Sequence, residues 1–318
     1  SSLNELRRTA LENVENFAIS NIQRISDGIN YNACNENSKN ANNSNSDENK
    51  ISVLLNILNE KYDYSSLEGI DIVYIPLKYF VNKKYSNILE TLSKKFELYI
   101  YLPTIIKANY RNLLSLNIEN AIKSYNIKGF VLSNISNLLL LDNVLENCSL
   151  NKNDFNFIAN YTFNIFNDLT LNDLQKYGIS TCTLSPELSK DSLLALSDKF
   201  QKELIVYGNT PVMNSNYCLL GKSNKCYLKC SKHCKDYSDF YLKDRLGLKF
   251  KLQVENGITT IYNSKITSID STDLNVTSVR LDFLDESLSD INTIIKSTKQ
   301  GTRLEGENYT NGNLNREV

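Results

Sequence analysis

From residue 51 to about 210 the chain repeats one pattern. A short apolar run rich in β-branched and aromatic residues is followed by a stretch of helical period, and the unit recurs about every 25 to 30 residues. The runs are "GIDIVYIPL" (69–77), "FELYIYLP" (96–103), "IKGFVLSN" (127–134), "FNFIANY" (155–161), "GISTCTLS" (178–185) and "KELIVYG" (202–208). "ISVLLNIL" (51–58) reads as another strand or as a helix. Between them lie segments such as "YSNILETLSKKF" and "SKDSLLALSDKF". Several runs are apolar without strict alternation, as strands covered on both faces are. Six or seven such units predict a parallel α/β fold, a TIM-like barrel or partial barrel in preference to an open sheet. No G-x-G-x-x-G follows any run, so a dinucleotide-binding fold has no support.

The flanks differ in texture. Residues 1–34 read as an N-terminal helical segment. Leu3, Leu6, Ala10, Val14, Phe17 and Ala18 recur at helical spacing, and Ser2 and Glu5 form a capping box. Residues 35–50, "NENSKNANNSNSDENK", hold one apolar residue, Ala41, and read as a disordered insertion. The barrel-like domain is assigned to 51–236. After 237 the sequence reads as β-hairpins, with "ENG" (255–257) as a turn, so 237–318 is read as a β-rich appendage and tail.

Composition narrows the function classes. A net charge of -1 gives no global basic field for nucleic acid. No apolar run approaches the roughly 18 residues of a membrane span, and no signal peptide is visible, so the chain is read as cytoplasmic with no membrane partner. The start, "SSLNELRR", reads as an internal or processed piece of a longer chain.

Four of the seven cysteines crowd into "CLLGKSNKCYLKCSKHC" (218–234), together with His233, the sole histidine. Lysines surround the thiols, so this is no core segment. In a reducing compartment such crowding points to metal rather than to disulfides. Cys218, Cys226, Cys230 and Cys234 supply the four thiolates that a structural zinc or an iron–sulfur cluster needs. Spacing alone leaves both metals open. If the segment is helical, Cys226, Cys230 and Cys234 share one face, about 5.4 Å apart per turn. A cluster of several irons tolerates that separation better than one tetrahedral zinc. The segment follows the last strand-like run, where barrel enzymes carry their active sites.

Several short motifs, in order, resemble the collagenase-like peptidase family U-32. They are "LNELRRTALE" (3–12), "FNIFN" (163–167), "LSPELS" (184–189), "YGNTPVMNSNYCLLG" (207–221) followed by Cys226 and Cys230, "YLKDRLGLKF" (241–250), "TIYNSK" (260–265) and "YTNGNLNREV" (309–318). The resemblance is to the C-terminal part of a long member. It implies a TIM-like barrel and a 4Fe-4S cluster held by cysteines, as in members that hydroxylate RNA or ubiquinone without oxygen. It also implies RNA, or the N-terminal part of a longer parent chain, as partner. Two departures stand out. Members often carry a further cysteine just before "IYNS", where this chain reads Asn256, Gly257, Ile258, Thr259. The tail motif usually has Gly-His, where Gly312 is here followed by Asn313. The fourth ligand then falls to Cys234, with Cys182 at a strand end as the alternative.

Other candidates are fewer. Glu187 follows a strand end and is placed to act as acid or base, or merely to favour a helix N-terminus. Tyr207 ends the strand before the cysteines, where it lines a pocket or packs. Asp244 and Arg245 pair in the hairpin region or serve the site. Asn164 and Asn167 read as polar groups at a barrel mouth. With one histidine, no Ser-His-Asp or Cys-His-Asn triad can be assembled, and no H-E-x-x-H helix exists. The leading expectation is an iron–sulfur enzyme performing oxygen-independent hydroxylation of RNA or a small aromatic. The alternatives are a collagenase-like peptidase and a non-catalytic zinc-stapled module that docks RNA or protein.

Overall fold

The computed structural model describes residues 2–22, 49–223, 240–255 and 257–315. The chain divides into two compact units, Ser1–Asn40 and Ala41–Val318. In the first, helix α1 (Ser2–Ile22) bears out the helical period, with Leu3, Leu6, Val14 and Phe17 exposed. Residues 35–48 of the Asn-rich stretch lie outside the described residues.

The second unit is built on a closed barrel. The strands and helices run β1 (Lys50–Leu55), β2 (Ile72–Pro76), α2 (Ser86–Lys95), β3 (Glu97–Tyr101), α3 (Arg111–Ser124), β4 (Ile127–Leu132), α4 (Ser136–Asn147), β5 (Asn156–Ala159), α5 (Asp168–Gln175), β6 (Thr181–Thr183), α6 (Lys190–Ala195) and β7 (Gln201–Gly208). Then come β8 (Pro211–Ser215), α7 (Leu219–Ser223), β9 (Tyr241–Lys243), β10 (Lys249–Glu255), β11 (Ile258–Tyr262), β12 (Ile266–Ser268), β13 (Ser278–Phe283), α8 (Leu288–Lys299) and β14 (Tyr309–Thr310). Strands β1 to β7 pair in parallel, each with the next. β13 pairs in parallel with both β7 and β1 and closes the circle.

The eighth barrel strand therefore comes from the region read as appendage. The segment between β7 and β13 is an excursion, not a tail. Part of it is the expected antiparallel sheet, four strands in the order β8-β11-β10-β9. β10 and β11 meet at a two-residue turn (Glu255 faces Ile258), where Gly257 takes the left-handed φ of +73° that such a turn requires. β12 returns antiparallel against the end of β7, and β14 lies parallel beside β12.

Two packing layers follow from the period-2 geometry of the strands. Outward-facing residues such as Val53, Val73, Ile100, Phe130, Phe157, Leu204 and Leu281 meet the helices in one continuous apolar layer. Inward-facing residues make a smaller apolar set, Leu54, Ile72, Tyr74, Tyr99, Val131 and Ile158, with Tyr101 against it. The lumen is crowded. A Cβ at Gly129 would collide with the Tyr99 ring and the Asn156 carbonyl, so only glycine lets that ring lie across the axis. Helix starts are capped locally. Asn167 accepts from Thr170 N at α5 and Ser287 from Asp290 N at α8.

Candidate active site in the barrel mouth

β13 reads "SVRLDF", a strict alternation that sends Val279, Leu281 and Phe283 outward and Arg280 and Asp282 into the lumen. Arg280 is 0% exposed. Its Nε donates to Asp282 Oδ1 (2.5 Å) and its Nη2 to Asp282 Oδ2 (3.0 Å), a two-point clamp on the carboxylate. Its Nη1 donates to Asn160 Oδ1 (2.9 Å) and stands 3.8 Å from Glu203 Oε1. The guanidinium carbon lies 5.4 Å from the ring centres of both Tyr74 and Tyr101.

Glu203, on β7 and 1% exposed, anchors the deeper layer. It accepts from Ser52 Oγ (2.5 Å), Tyr74 OH (2.6 Å) and Thr183 Oγ1 (2.7 Å). Asn160 Nδ2 donates to Tyr101 OH (2.7 Å). Strands β1, β2, β3, β6, β7 and β13 and the residue after β5 thus contribute to one hydrogen-bonded network. Burying these charges is costly unless all are partnered, as they are here. Burial works against the charged guanidinium, yet Asp282, Tyr101 and Glu203 hold Arg280 above its ordinary value. Burial raises the Asp282 carboxyl, against the lowering pull of Arg280.

Above this network lies a cavity of about 90 Å3 at the C-terminal mouth of the barrel. Its floor and walls come from strand ends and the loops beyond them, including Leu54, Asn56, Pro76, Tyr101, Tyr161, Asn209 and Asp282. Its roof is the antiparallel sheet, through Asn214, Gln253, Glu255, Ile258, Thr260 and Tyr262. Tyr262 OH donates to Gln253 Oε1 (2.6 Å), and Gln253 Nε2 donates to Asn56 O (3.4 Å), which ties roof to barrel. Burial raises the phenols of Tyr101, Tyr161 and Tyr262, so they stay protonated. Gly208, with φ of +134°, ends β7 where any side chain would strike Asp282.

The residues singled out in the sequence fall elsewhere. Glu187 is exposed on the loop after β6 and lines no part of the cavity. Tyr207 faces the helix layer, packs its ring at a tilt against Phe283 and donates to Glu286 Oε1 (3.1 Å). Arg245 is exposed at the β9–β10 turn, where Asp244 Oδ1 accepts from Leu246 N and Leu248 N. Asn167 is the α5 cap, and Asn164 takes a left-handed φ of +50° that ends a short helical turn. The groups that do converge are Glu203, Arg280, Asp282, Asn160 and the tyrosines. Arg280 and Asp282 at i and i+2 of one strand were the available signal.

Of the cysteines, Cys226, Cys230 and Cys234 lie outside the described residues. Cys218 is half-buried at the start of α7, four residues beyond Asn214 of the cavity roof, so within about 14 Å of chain. Neighbouring Leu219 N donates to Thr259 Oγ1 on β11 (3.1 Å). Cys182 is buried in the helix-facing layer, on the side of β6 opposite Thr183, and burial pushes its thiol up to about 12. A metal-bound thiol is deprotonated, so that apolar setting does not suit a ligand. Among the described residues, no three His, Cys, Asp or Glu side chains come together to hold a metal. Among them, too, no helix is long and apolar enough to cross a membrane.

No family model matches the chain, and no curated protein does. Among solved structures, that of the U32 peptidase Mk0906 is similar in fold, with a TM-score of 0.42 and 8% identity over 75% of this chain and 94% of that one. A likeness of that size is one of distant fold and carries no argument about chemistry. The barrel stands on its own strand pairings.

Proposed function

We propose that the chain is an enzyme of U32-like type whose reaction takes place in the roofed barrel mouth. The cysteines of residues 218–234 would hold a 4Fe-4S cluster beside that mouth. The observation that carries the enzymatic reading is the Arg280–Asp282 clamp beneath the cavity at the barrel mouth. A charged pair buried at the C-terminal end of barrel strands costs stability and serves no packing need.

The cluster reading rests on the sequence: four clustered thiols and the order of the U-32-like motifs. The position of Cys218, just beyond a roof strand, is compatible with it as first ligand, with Cys226, Cys230 and Cys234 as the others. Bound there, a 4Fe-4S cluster would supply one-electron transfer for an oxygen-independent hydroxylation of a small aromatic or an RNA base, a two-electron oxidation in which an oxygen-donating co-substrate would bring both the oxygen atom and the oxidising equivalents. The chain's own part is to orient the reacting group over Asp282 and to exclude water beneath the sheet. Asn56, Asn209, Asn214, Gln253 and Tyr262 line the cavity with neutral hydrogen-bonding groups, which suit a small polar or aromatic group. Among the described residues, no nucleophile–base pair lines it, which favours this reading over the peptidase alternative.

Purification under strict exclusion of oxygen, followed by iron and sulfide analysis, tests the proposal. About four irons and four sulfides per chain are expected, lost on Cys218→Ser. An iron-free protein, or one holding a single zinc, would refute the cluster reading.

A further inference from the structure

The cavity has an electrostatic character that its strand-end geometry alone does not require. Asn209, 6% exposed, lines it directly after β7. Its Nδ2 donates to Asn263 O (2.9 Å), which fixes the amide and leaves Oδ1 as the other end. Among the described residues, that oxygen accepts no hydrogen bond. A buried acceptor without a donor costs about 1 to 3 kcal/mol, so such a group at a cavity wall marks where a ligand's donor belongs.

The surroundings agree. Asp282 on the floor and Glu255 on the roof both line the space, while Tyr101, Tyr161 and Tyr262 add ring faces. The nearby cations stand behind these groups. Arg280 is wholly buried beneath Asp282, Lys78 Nζ lies 3.6 Å from Glu255 Oε2, and Lys107 Nζ bonds to the backbone carbonyls of Asn216 and Gly257. None of the three lines the cavity. With Glu203 below, Arg280 and Lys78 pair with the three carboxylates from behind, while Lys107 is turned to backbone carbonyls, so the charged groups that face the cavity are Asp282 and Glu255. A carboxylate clamped by arginine keeps lone pairs for a further donor, and aromatic faces attract cations. Among the described residues, none that lines the cavity offers an anion a cationic donor.

We propose that the mouth binds the protonated amino group of its substrate, with the ammonium donating to Asn209 Oδ1 and Asp282 and lying against the tyrosine rings. The proposal rests on reading the mouth as the active site and narrows its substrates to those with a protonated primary amine, which favours a small amine-bearing aromatic over an RNA base.

Calorimetric titration of the purified full chain with propylammonium, 1-propanol and propionate, at matched ionic strength, tests it. Propylammonium should bind at least about tenfold more tightly than either of the others, the equivalent of one charge-assisted hydrogen bond. Asn209→Ala and Glu255→Gln, each checked for a native circular dichroism spectrum, should each weaken propylammonium several-fold and leave 1-propanol unchanged. If Asn209→Ala fails to fold, the Glu255→Gln result decides. Propionate binding as tightly as propylammonium, binding insensitive to both variants, or no binding of any probe would overturn the proposal. The outcome is separable from the cluster reading. Iron without amine binding sinks this inference alone, and amine binding without iron sinks the cluster alone.

Discussion

The two faces of the barrel wall are built from the same strands and could hardly differ more. Outward, β1 to β7 and β13 present Val53, Ile100, Phe130, Leu204 and Leu281 to the helices, an apolar layer that Lys202 interrupts at the start of β7, where its Nζ donates to Leu196 O (3.3 Å). Inward, one residue away on the same strands, stand Ser52, Thr183, Glu203, Arg280 and Asp282. Apolar burial of the outer kind stabilises at roughly 25 cal/mol per Å2. A charge cluster of the inner kind is at best near neutral against an apolar replacement. The outer face holds the barrel closed. The inner face is kept for what it can do at the mouth.

Substitutions on neighbouring residues separate the two roles. The largest effect is expected from Arg280→Leu, which leaves Asp282 and Glu203 buried without their cation. Urea denaturation should show a loss of about 3 to 5 kcal/mol. Arg280→Lys should recover only part of this, because a single ammonium cannot make the two-point clamp. Next is Leu281→Ala, one residue along and facing the helices. It should cost about 3 kcal/mol by the lost apolar contacts and the cavity left behind. A smaller loss, about 2 kcal/mol in the same assay, is expected for Gly208→Ala, whose new methyl presses on Asp282.

The smallest effect concerns pH. Burial raises the Glu286 carboxyl above its ordinary 4.5, although Leu284 N and Asp285 N both donate to it. A raised carboxyl means that the folded chain holds this proton more firmly than the unfolded chain. Its contribution is therefore fully present below the ordinary value and is lost as pH rises through the folded value. The stability of the wild type relative to Glu286→Gln should fall as pH rises above the ordinary carboxyl value of 4.5. A difference that stays flat or rises would contradict the direction of the shift.

How much of this was legible follows from the same contrast. The six apolar runs from 69 to 208 each contain a barrel strand, and "ISVLLNIL" holds a strand, not a helix. Their outward halves carry the apolar signal. β13 lies within the stretch read as β-rich appendage and tail, and its Arg280 and Asp282 alternate with apolar residues, the mark of a strand half in water. Here the polar half faces a polar lumen instead of solvent, and sequence period cannot tell the two apart. The same ambiguity hid Glu203 within "KELIVYG". Glu187, Tyr207 and Arg245 stand near strand ends or motifs, yet position along the chain does not settle which face a side chain takes. Cys218 alone of the four clustered cysteines can be placed, beside the roof.

The division of roles is tested most directly by one pair of titrations with propylammonium, on Asp282→Asn and Leu281→Ala at a temperature where both remain folded. If the inner face is the functional one, Asp282→Asn should weaken binding by about tenfold, while Leu281→Ala, despite its larger cost in stability, should bind within about twofold of the wild type, since outward packing and cavity contacts are separate interactions. Equal losses in the two variants, or a greater loss in Leu281→Ala, would contradict it.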